Sequence, residues 1–533
     1  MPNMEKFQTA PIICEGGLDS NQNYLLLSTR APGSATSLIN FEPSLFGGYR
    51  RIDGFAPLET DYADVDDTGS EGKIFGIAIY DQGIIAARKT KSASTYKFFY
   101  WTSGADWTAY ATGLTHTATN VDKIRYDTFN FDGDEKIVFV DGINEAVLFD
   151  GTTWVDIDTA DSGADYANAG GPMALDDPKY VCLFKNHIFV SGSAADPHVV
   201  AHSAPLAEYD WTAASGAGQI NVGFAVKQIK PFRDELYVFG ETKIKKIVVE
   251  GSDFTVKDVT INIGCLAADS VVEINGDLIF LSQDGFRTVA ATERNNDVEL
   301  GVLSKSIQQD VTDLISSADL SQVNAVVIKR KSQVRFFFSD ENLGTSSNTG
   351  VLGGLKGSQD GVAWEWSRTL GIRTSCTTSG YISNQEYVLH GDYNGKVYRQ
   401  EVGNNLDGSD ILAVYTMPYL DFGDVFIRKT IHKVTMFLRP EGEVSISALL
   451  QFDWDSDEVL NPSSYLLEDD VSGSVYDIAV YDTDMYAGMT SPVLIKNVEG
   501  SGMSARFTFT SHDQRDSYSI QAIVFEYAVA GRK

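Results

Sequence analysis

The residues able to do chemistry are few and poorly grouped. His198 and His202 stand four apart, the spacing that can set two imidazoles on one helix face and onto a metal ion. Asp196-Pro197 before them and Ala204-Pro205 after them argue instead for loop or edge strand. Asp453, Asp455 and Asp457 alternate along Asp453-Trp454-Asp455-Ser456-Asp457-Glu458, as carboxylates gathering calcium do. The glycine and terminal bidentate glutamate of a calcium loop are missing, so a solvated acidic loop is expected. Asp64, Asp66 and Asp67 form a weaker version. Gly353-Gly354-Leu355-Lys356-Gly357 lacks the spacing and the Ser/Thr that a phosphate cradle needs.

Neither a nucleophile elbow (GxSxG) nor HExxH occurs. Ser358-Gln359-Asp360-Gly361-Val362-Ala363-Trp364 approaches the Asp-box of sialidase-type propellers, but is one residue short and occurs once. No catalytic residue, no cofactor-binding residue and no metal ligand stands out in the sequence. No cofactor and no enzymatic activity are expected.

Elements that could position such groups are much clearer. Leu183-Phe-Lys-Asn-His-Ile-Phe-Val-Ser-Gly192 returns as Pro231-Phe-Arg-Asp-Glu-Leu-Tyr-Val-Phe-Gly240 and as Glu273-Ile-Asn-Gly-Asp-Leu-Ile-Phe-Leu-Ser282. Each copy is an apolar residue, a short turn and a run of strand formers. A period of roughly 40–50 residues is the signature of a β-propeller with one four-stranded blade per repeat. Asp141-Gly142 and Asp150-Gly151 add two hairpin turns. Candidate blades cover 73–110, 136–157, 177–215, 222–261, 264–300, 320–370 and 371–403; seven are favoured, with six or eight allowed. Trp107, Trp154 and Trp211 follow such hairpins and read as blade-packing aromatics, with a sugar-stacking ladder as the alternative. Ile307, Val311 and Leu314 predict a helix over 304–317.

The organisation read from this is an N-terminal arm and loop at 1–72, a propeller at 73–403, a linker at 404–412, and a β-sandwich-like domain at 413–533. Period-two alternation in the last segment supports the sandwich, and chain from the arm is expected to complete it. The fold class is all-β.

Composition narrows the functions. The 533 residues carry 73 acidic and 42 basic side chains, a net charge of −31, which repels phosphate and argues against tight nucleic-acid binding. Four cysteines, Cys14, Cys182, Cys265 and Cys376, lie far apart and read as buried free thiols of a reducing compartment. No secretory signal is seen at the N-terminus, and no run approaches the ~20 apolar residues that span a bilayer, so no membrane insertion is expected. Two basic clusters, Lys227 to Lys246 and Lys329 to Arg335, read as strand-face charges or as patches that meet acidic faces of neighbouring subunits.

Four stretches resemble the tail hub or nozzle proteins (packaged-DNA stabilisation proteins) of short-tailed bacteriophages. They are Asn40-Phe41-Glu42 with Gly48-Tyr49-Arg50-Arg51-Ile52-Asp53-Gly54-Phe55; Phe232 to Gly240 with Ile244 to Glu250; Leu281 to Arg287 with Leu303 to Ile307; and Tyr518 to Tyr527. The resemblance implies a structural virion protein of the tail, assembled in the host cytoplasm as a ring, a homohexamer, beneath the portal and adaptor (head-tail connector) ring. It would extend the DNA channel, retain packaged DNA and allow its ejection, DNA passing without specific binding. Tail fibres, spikes or a needle are further partners it implies. The alternative from the residues alone is a carbohydrate-binding or adhesion propeller, and behind that a propeller glycosidase.

Overall fold

The computed structural model describes residues 7–44, 46–58, 72–90, 94–110, 114–157, 176–251, 253–289, 302–358, 361–455, 461–468 and 492–532. The fold is all-β, a propeller joined to a β-sandwich. Among the described residues, six self-contained sheets of three to five strands stand around one axis. Their innermost strands are Ile74–Tyr80, Arg125–Phe129, Tyr180–Phe184, Val226–Phe232, Val272–Ile274 and Cys376–Ile382. A further radial position is filled by Asn324–Ile328, Gln333–Phe338, Thr349–Ser358 and Gly361–Leu370, the first four strands of a nine-stranded sheet that runs on into the sandwich. We call this the shared blade.

The sequence repeat is the hairpin between the first and second strands of a blade. Phe184 pairs with His187, Phe232 with Glu235, and Ile274 with Asp277. The turns are tight and left-handed: Lys185 and Asn186 at φ +48° and +63°, Asn275 and Gly276 at +52° and +77°. Two-residue turns of this hand match the twist of the flanking strands, which is why Asn and Gly recur there. Asp81-Gln82 and Ser383-Asn384 repeat the geometry in the first and last blades.

Blades are glued face to face by separate apolar clusters. Trp154 stacks on Phe98 and Phe149 at 4.5 and 4.4 Å between the first and second blades. Trp211 packs between the second and third, and Trp107 between the first and last. All three are buried, the packing role read from the sequence. Burying each such ring contributes roughly 1.5–3 kcal/mol.

The last blade, Cys376–Ile382, Gln385–Gly391 and Val397–Gln400, takes its outer strand, Phe55–Pro57, from the N-terminal segment. Chain from the start of the sequence therefore closes the ring of blades. The rest of the segment is spread through the sandwich: Gln8–Ile13 pairs with Tyr518–Arg532, Ser37–Ile39 with Ile411–Thr416, and Phe41–Pro43 with Tyr49–Arg51. Residues 7–58 are thus woven into both domains. The strand Ile411–Thr416 begins inside the segment read as linker. The predicted helix is a 3₁₀ turn, Lys305–Ile307, followed by an α-helix, Gln308–Ser317, with Ile307, Val311 and Leu314 buried. A second helix, Tyr24–Arg30, starts at Asn23, whose side chain accepts from Leu25 N.

Candidate functional site at the propeller–sandwich junction

The segment from Asn40 to Phe55 is where the two domains meet. Asn40 sits buried at φ +54°. Its Nδ2 donates to Leu370 O on the shared blade at 3.0 Å and to Leu412 O in the sandwich at 2.8 Å, while Leu370 N donates to its Oδ1 at 2.9 Å. One amide thus satisfies both sides of the point where Ser37–Ile39 joins the shared blade in parallel, Ile39 opposite Arg368. Phe41 is fully buried and meets Tyr518 edge-on.

Gly48 and Gly54 bracket the next turn for steric reasons. A Cβ on Gly48 (φ +83°) would lie 2.0 Å from Ile520 O, and one on Gly54 would lie 1.9 Å from Asn405 O. Backbone-to-backbone approach this close admits only glycine. Between them, the Tyr49 hydroxyl donates to Gly33 O and accepts from Gly17 N. Arg51, 1% exposed, donates to the Asp513 carboxylate and to the carbonyls of Asp513 and Arg515. Phe55 packs edge-on against His390 and Tyr398 in the last blade.

Glu42 anchors a buried ion cluster. It accepts from Lys331 at 2.7 Å, Arg50 at 3.0 Å and Arg335 at 3.4 Å. Glu401, from the end of the last blade, accepts from Arg335 at 2.5 Å and Arg330 at 3.1 Å, and also pairs with Lys331. Arg50 continues to Asp53 and Glu441, both at 2.7 Å. The cluster therefore ties arm, shared blade, last blade and sandwich to one another. Burial opposes the Glu401 charge, but Arg335 and Lys331 override it and hold that carboxyl well below the usual range. Burial likewise opposes the charge on Arg335, and Glu401 and Glu42 override it and raise its pKa.

A second cluster lines the central channel, a cavity of about 430 Å³ walled by the innermost strands. Asp269 accepts from Arg125 and Lys123 at 2.8 and 3.0 Å, and Lys123 also donates to Val323 O. These contacts cross from the second blade to the fifth and the shared blade. Burial again opposes the Asp269 charge, and Arg125 and Lys123 override it. Asp127, in the same wall, is shifted upward by burial. Two carboxyls pushed in opposite directions can mark an acid and a base. Here Asp127 accepts from Leu183 N and Thr128 N and Asp269 is held by two cations, so both carboxyls are committed to structure.

No family model matches the sequence, and no curated protein matches it. Among solved structures the chain is similar to BBS1N, solved in complex with ARL6DN, at 6% identity over 67% of this chain and 99% of that one, TM-score 0.38. An exo-β-1,3-galactanase from Phanerochaete chrysosporium, solved with galactose, matches at 8% identity over 89% and 100%, TM-score 0.24. The extracellular domain of a hybrid two-component system from B. thetaiotaomicron matches at 7% identity over 65% and 39%, TM-score 0.35. These scores support no inference about chemistry.

Among the described residues, the groups singled out in the sequence are not gathered into a metal site. His202 ends the strand Val199–His202 and lies among His187, Phe189 and Phe254, where burial lowers its pKa. Among the described residues no three His, Cys, Asp or Glu are grouped to hold a metal. Asp453 Oδ1 accepts from Met503 N and Ser504 N and Asp455 from Asn461; Asp457, Asp64, Asp66 and Asp67 lie outside the described residues, as do Gln359 and Asp360. The four cysteines are buried and free; burial pushes Cys14, Cys265 and Cys376 up to about 12. The basic cluster 329–335 needs correction as a set of strand-face charges. Arg335 is buried and Lys331 half-buried in the junction, where Glu42 and Glu401, distant in the sequence, meet both. Of the cluster at 227–246, Lys227, Lys230, Lys245 and Lys246 lie on strands, where Lys245 and Lys246 pair with Asp258 and Glu235 of the same blade, while Arg233 and Lys243 lie in the connections between strands.

Proposed function

We propose that the chain is a structural virion protein, the tail hub or nozzle. Copies form a ring, a homohexamer, below the portal and adaptor, extend the DNA channel, retain packaged DNA and release it on ejection. What supports the reading is the junction: the stretches Asn40-Phe41-Glu42 and Gly48 to Phe55, which carry the family resemblance, are the residues that fasten propeller to sandwich. A channel element under the pressure of packaged DNA needs its domains fixed in orientation, and directional ion and amide contacts supply that. The net charge of −31 lets a polyanion pass without adhering. The test is electron microscopy of the purified chain with and without an adaptor ring. Six-fold rings coaxial with the adaptor are expected; particles that remain single copies in its presence would sink the reading.

One observation favours a second reading, carbohydrate binding. Asp453, Trp454 and Asp455 take φ of +47°, +58° and +60° in succession, at a cost of roughly 1–2 kcal/mol each. They hold Trp454 57% exposed beside Tyr419, ring centroids 5.7 Å apart. Exposed aromatic rings stack on sugars. Glycan-array binding abolished by Trp454→Ala would promote this reading; no binding by the intact chain would remove it.

A further inference from the structure

Two histidines share one acceptor on the flank where the third blade meets the fourth. They lie on neighbouring strands, His187–Ser191 and Val199–His202. His187 Nδ1 stands 2.6 Å from Ser203 O, and His202 Nδ1 stands 3.1 Å from the same atom. A carbonyl only accepts, so both rings keep a proton on Nδ1 and a second proton can go only to Nε2. The rings are nearly perpendicular, with centroids 5.1 Å apart. Phe254, from the outer strand of the fourth blade, closes over His187 at 5.2 Å and over His202 at 4.8 Å. Phe189 adds a third ring, 5.2 Å from His202. His202 is buried. Its Nε2 abuts the outer strand of its own blade so closely that a Cβ on Gly218 would lie 3.0 Å away.

No carboxylate stands ready to balance a charge there. Among the described residues the one histidine paired with a carboxylate is His116, with Asp156 at 3.0 Å. Charged groups on the elements packed round the pair are engaged elsewhere. Lys185, in the turn before His187, pairs with Asp234. On the strand Asp253–Thr260, Lys257 pairs with Glu250 and Asp258 with Lys245, and Asp253 alternates with Phe254 and so stands on the opposite face. Past His202, Glu208 pairs with Lys136 and Asp210 accepts from Thr212. On the inner side of the flank lie Tyr180 and Cys182, with Asp127 and Lys230 in the channel wall beyond them.

We propose that this flank is an acid-operated seam, shut while His187 and His202 are neutral and parted when they take up protons. Two imidazolium charges would face each other at ring contact, beneath one phenyl ring and without a counter-charge. Burial lowers the pKa of His202, Ser203 O opposes the shift, and His187 adds to it. A histidine whose folded pKa lies below its unfolded one contributes stability above the ordinary imidazole pKa of about 6.5 and loses it as pH falls. The seam therefore loosens in mild acid, above the range in which the junction carboxylates titrate. Burial and Arg335 push His390 of the last blade down to about 3, but opening that flank would also break the pair of Arg335 with Glu401.

The four buried cysteines report on four separate places. Cys182 lies in the apolar cluster of this flank, Cys265 between the fourth and fifth blades, Cys376 between the first and last, and Cys14 in the sandwich. The test is labelling of the native full chain with a pyridyl disulfide from about pH 7.5 to about pH 5. Rates are normalised to a free model thiol in the same buffers, and sites are read by mass spectrometry. Labelling of Cys182 is expected to speed up by as much as about tenfold per pH unit below about 6.5, while the other three hold steady. Two variants remove the titrating ring: His202→Asn keeps an amide donor for Ser203 O, and His202→Phe fills the space. Circular dichroism and melting temperature establish which are folded, and the acceleration should vanish in those that are. A Cys182 rate that does not rise as pH falls overturns the proposal. So does a rise that persists in a folded variant, or one that all four cysteines share.

Discussion

Between the first and second blades the contact is made by rings: Trp154 against Phe98, Phe149 and Phe139. Between the shared blade and the arm it is made by charges: Glu42 and Glu401 against Arg335, Lys331 and Arg50. Stacked rings stabilise through buried area, which is large and tolerant of small shifts. Ion pairs in a dry interior add little net stability over an apolar substitute, but they are unforgiving of geometry and of a missing partner. The propeller uses the first kind of contact on the flanks where neighbouring blades meet, and the second at the channel wall, where Asp269 meets Arg125 and Lys123, and at the junction, where two unlike domains must keep one orientation.

The largest effects should come from breaking either contact. Arg335→Met leaves Glu42 and Glu401 short of a partner in the interior and is expected to cost about 3–5 kcal/mol. Trp154→Ala should cost about as much through the cavity it opens. Hydrogen exchange separates them. Trp154→Ala should release amides of 74–156 and spare 505–532, whereas Arg335→Met should release amides on both sides of the junction. If both variants loosen only the propeller, the proposed division of labour fails. Next in size, Gly54→Ala must push against Asn405 O, about 1–3 kcal/mol, with loss of protection at 397–405.

Acid should discriminate as well. Glu401 and Asp269 have folded pKa values below their unfolded ones, so the stability they contribute is present above the ordinary carboxylate pKa of about 4 and is lost as pH falls below it. The melting temperature should therefore drop from about pH 4.5 downward, with early exchange at the junction and the channel wall; Glu401→Gln should flatten the junction's share of that drop. Early acid exchange at the Trp154 stack instead would contradict the assignment. The smallest effect expected is from Lys246→Ala. Its pair with Glu235 is partly exposed and lies within one blade, so the change should stay within about 1 kcal/mol by the same melts.

The propeller was legible in the sequence because its signal is local. Asn186 and Asn275-Gly276 supply the left-handed turns, and the strands they join lie within a few residues of them. The helix at 308–317 was legible for the same reason. The junction was only half legible. Gly48 and Gly54 stood out, but their cause is contact with Ile520 and Asn405, hundreds of positions away. Glu42, Lys331, Arg335 and Glu401 each look like ordinary strand-end charges until the chain brings them together. The helix Tyr24–Arg30 escaped because Leu25 and Leu26 face outward, so no apolar periodicity marks it.

The strand Phe55–Pro57 has a consequence for the order in which this molecule is made. It leaves the ribosome early, yet its partner Val397–Gln400 is translated only after the blades beginning at Ile74 have been synthesised. At roughly 5–20 residues per second, that wait is on the order of tens of seconds. During it the nascent blades form an open arc instead of a ring, and the apolar flanks of the first blade, Trp101 and Trp107 among them, await the last. Birth of this protein therefore includes an interval in which a chaperone, or a neighbouring nascent chain, competes for the same edge.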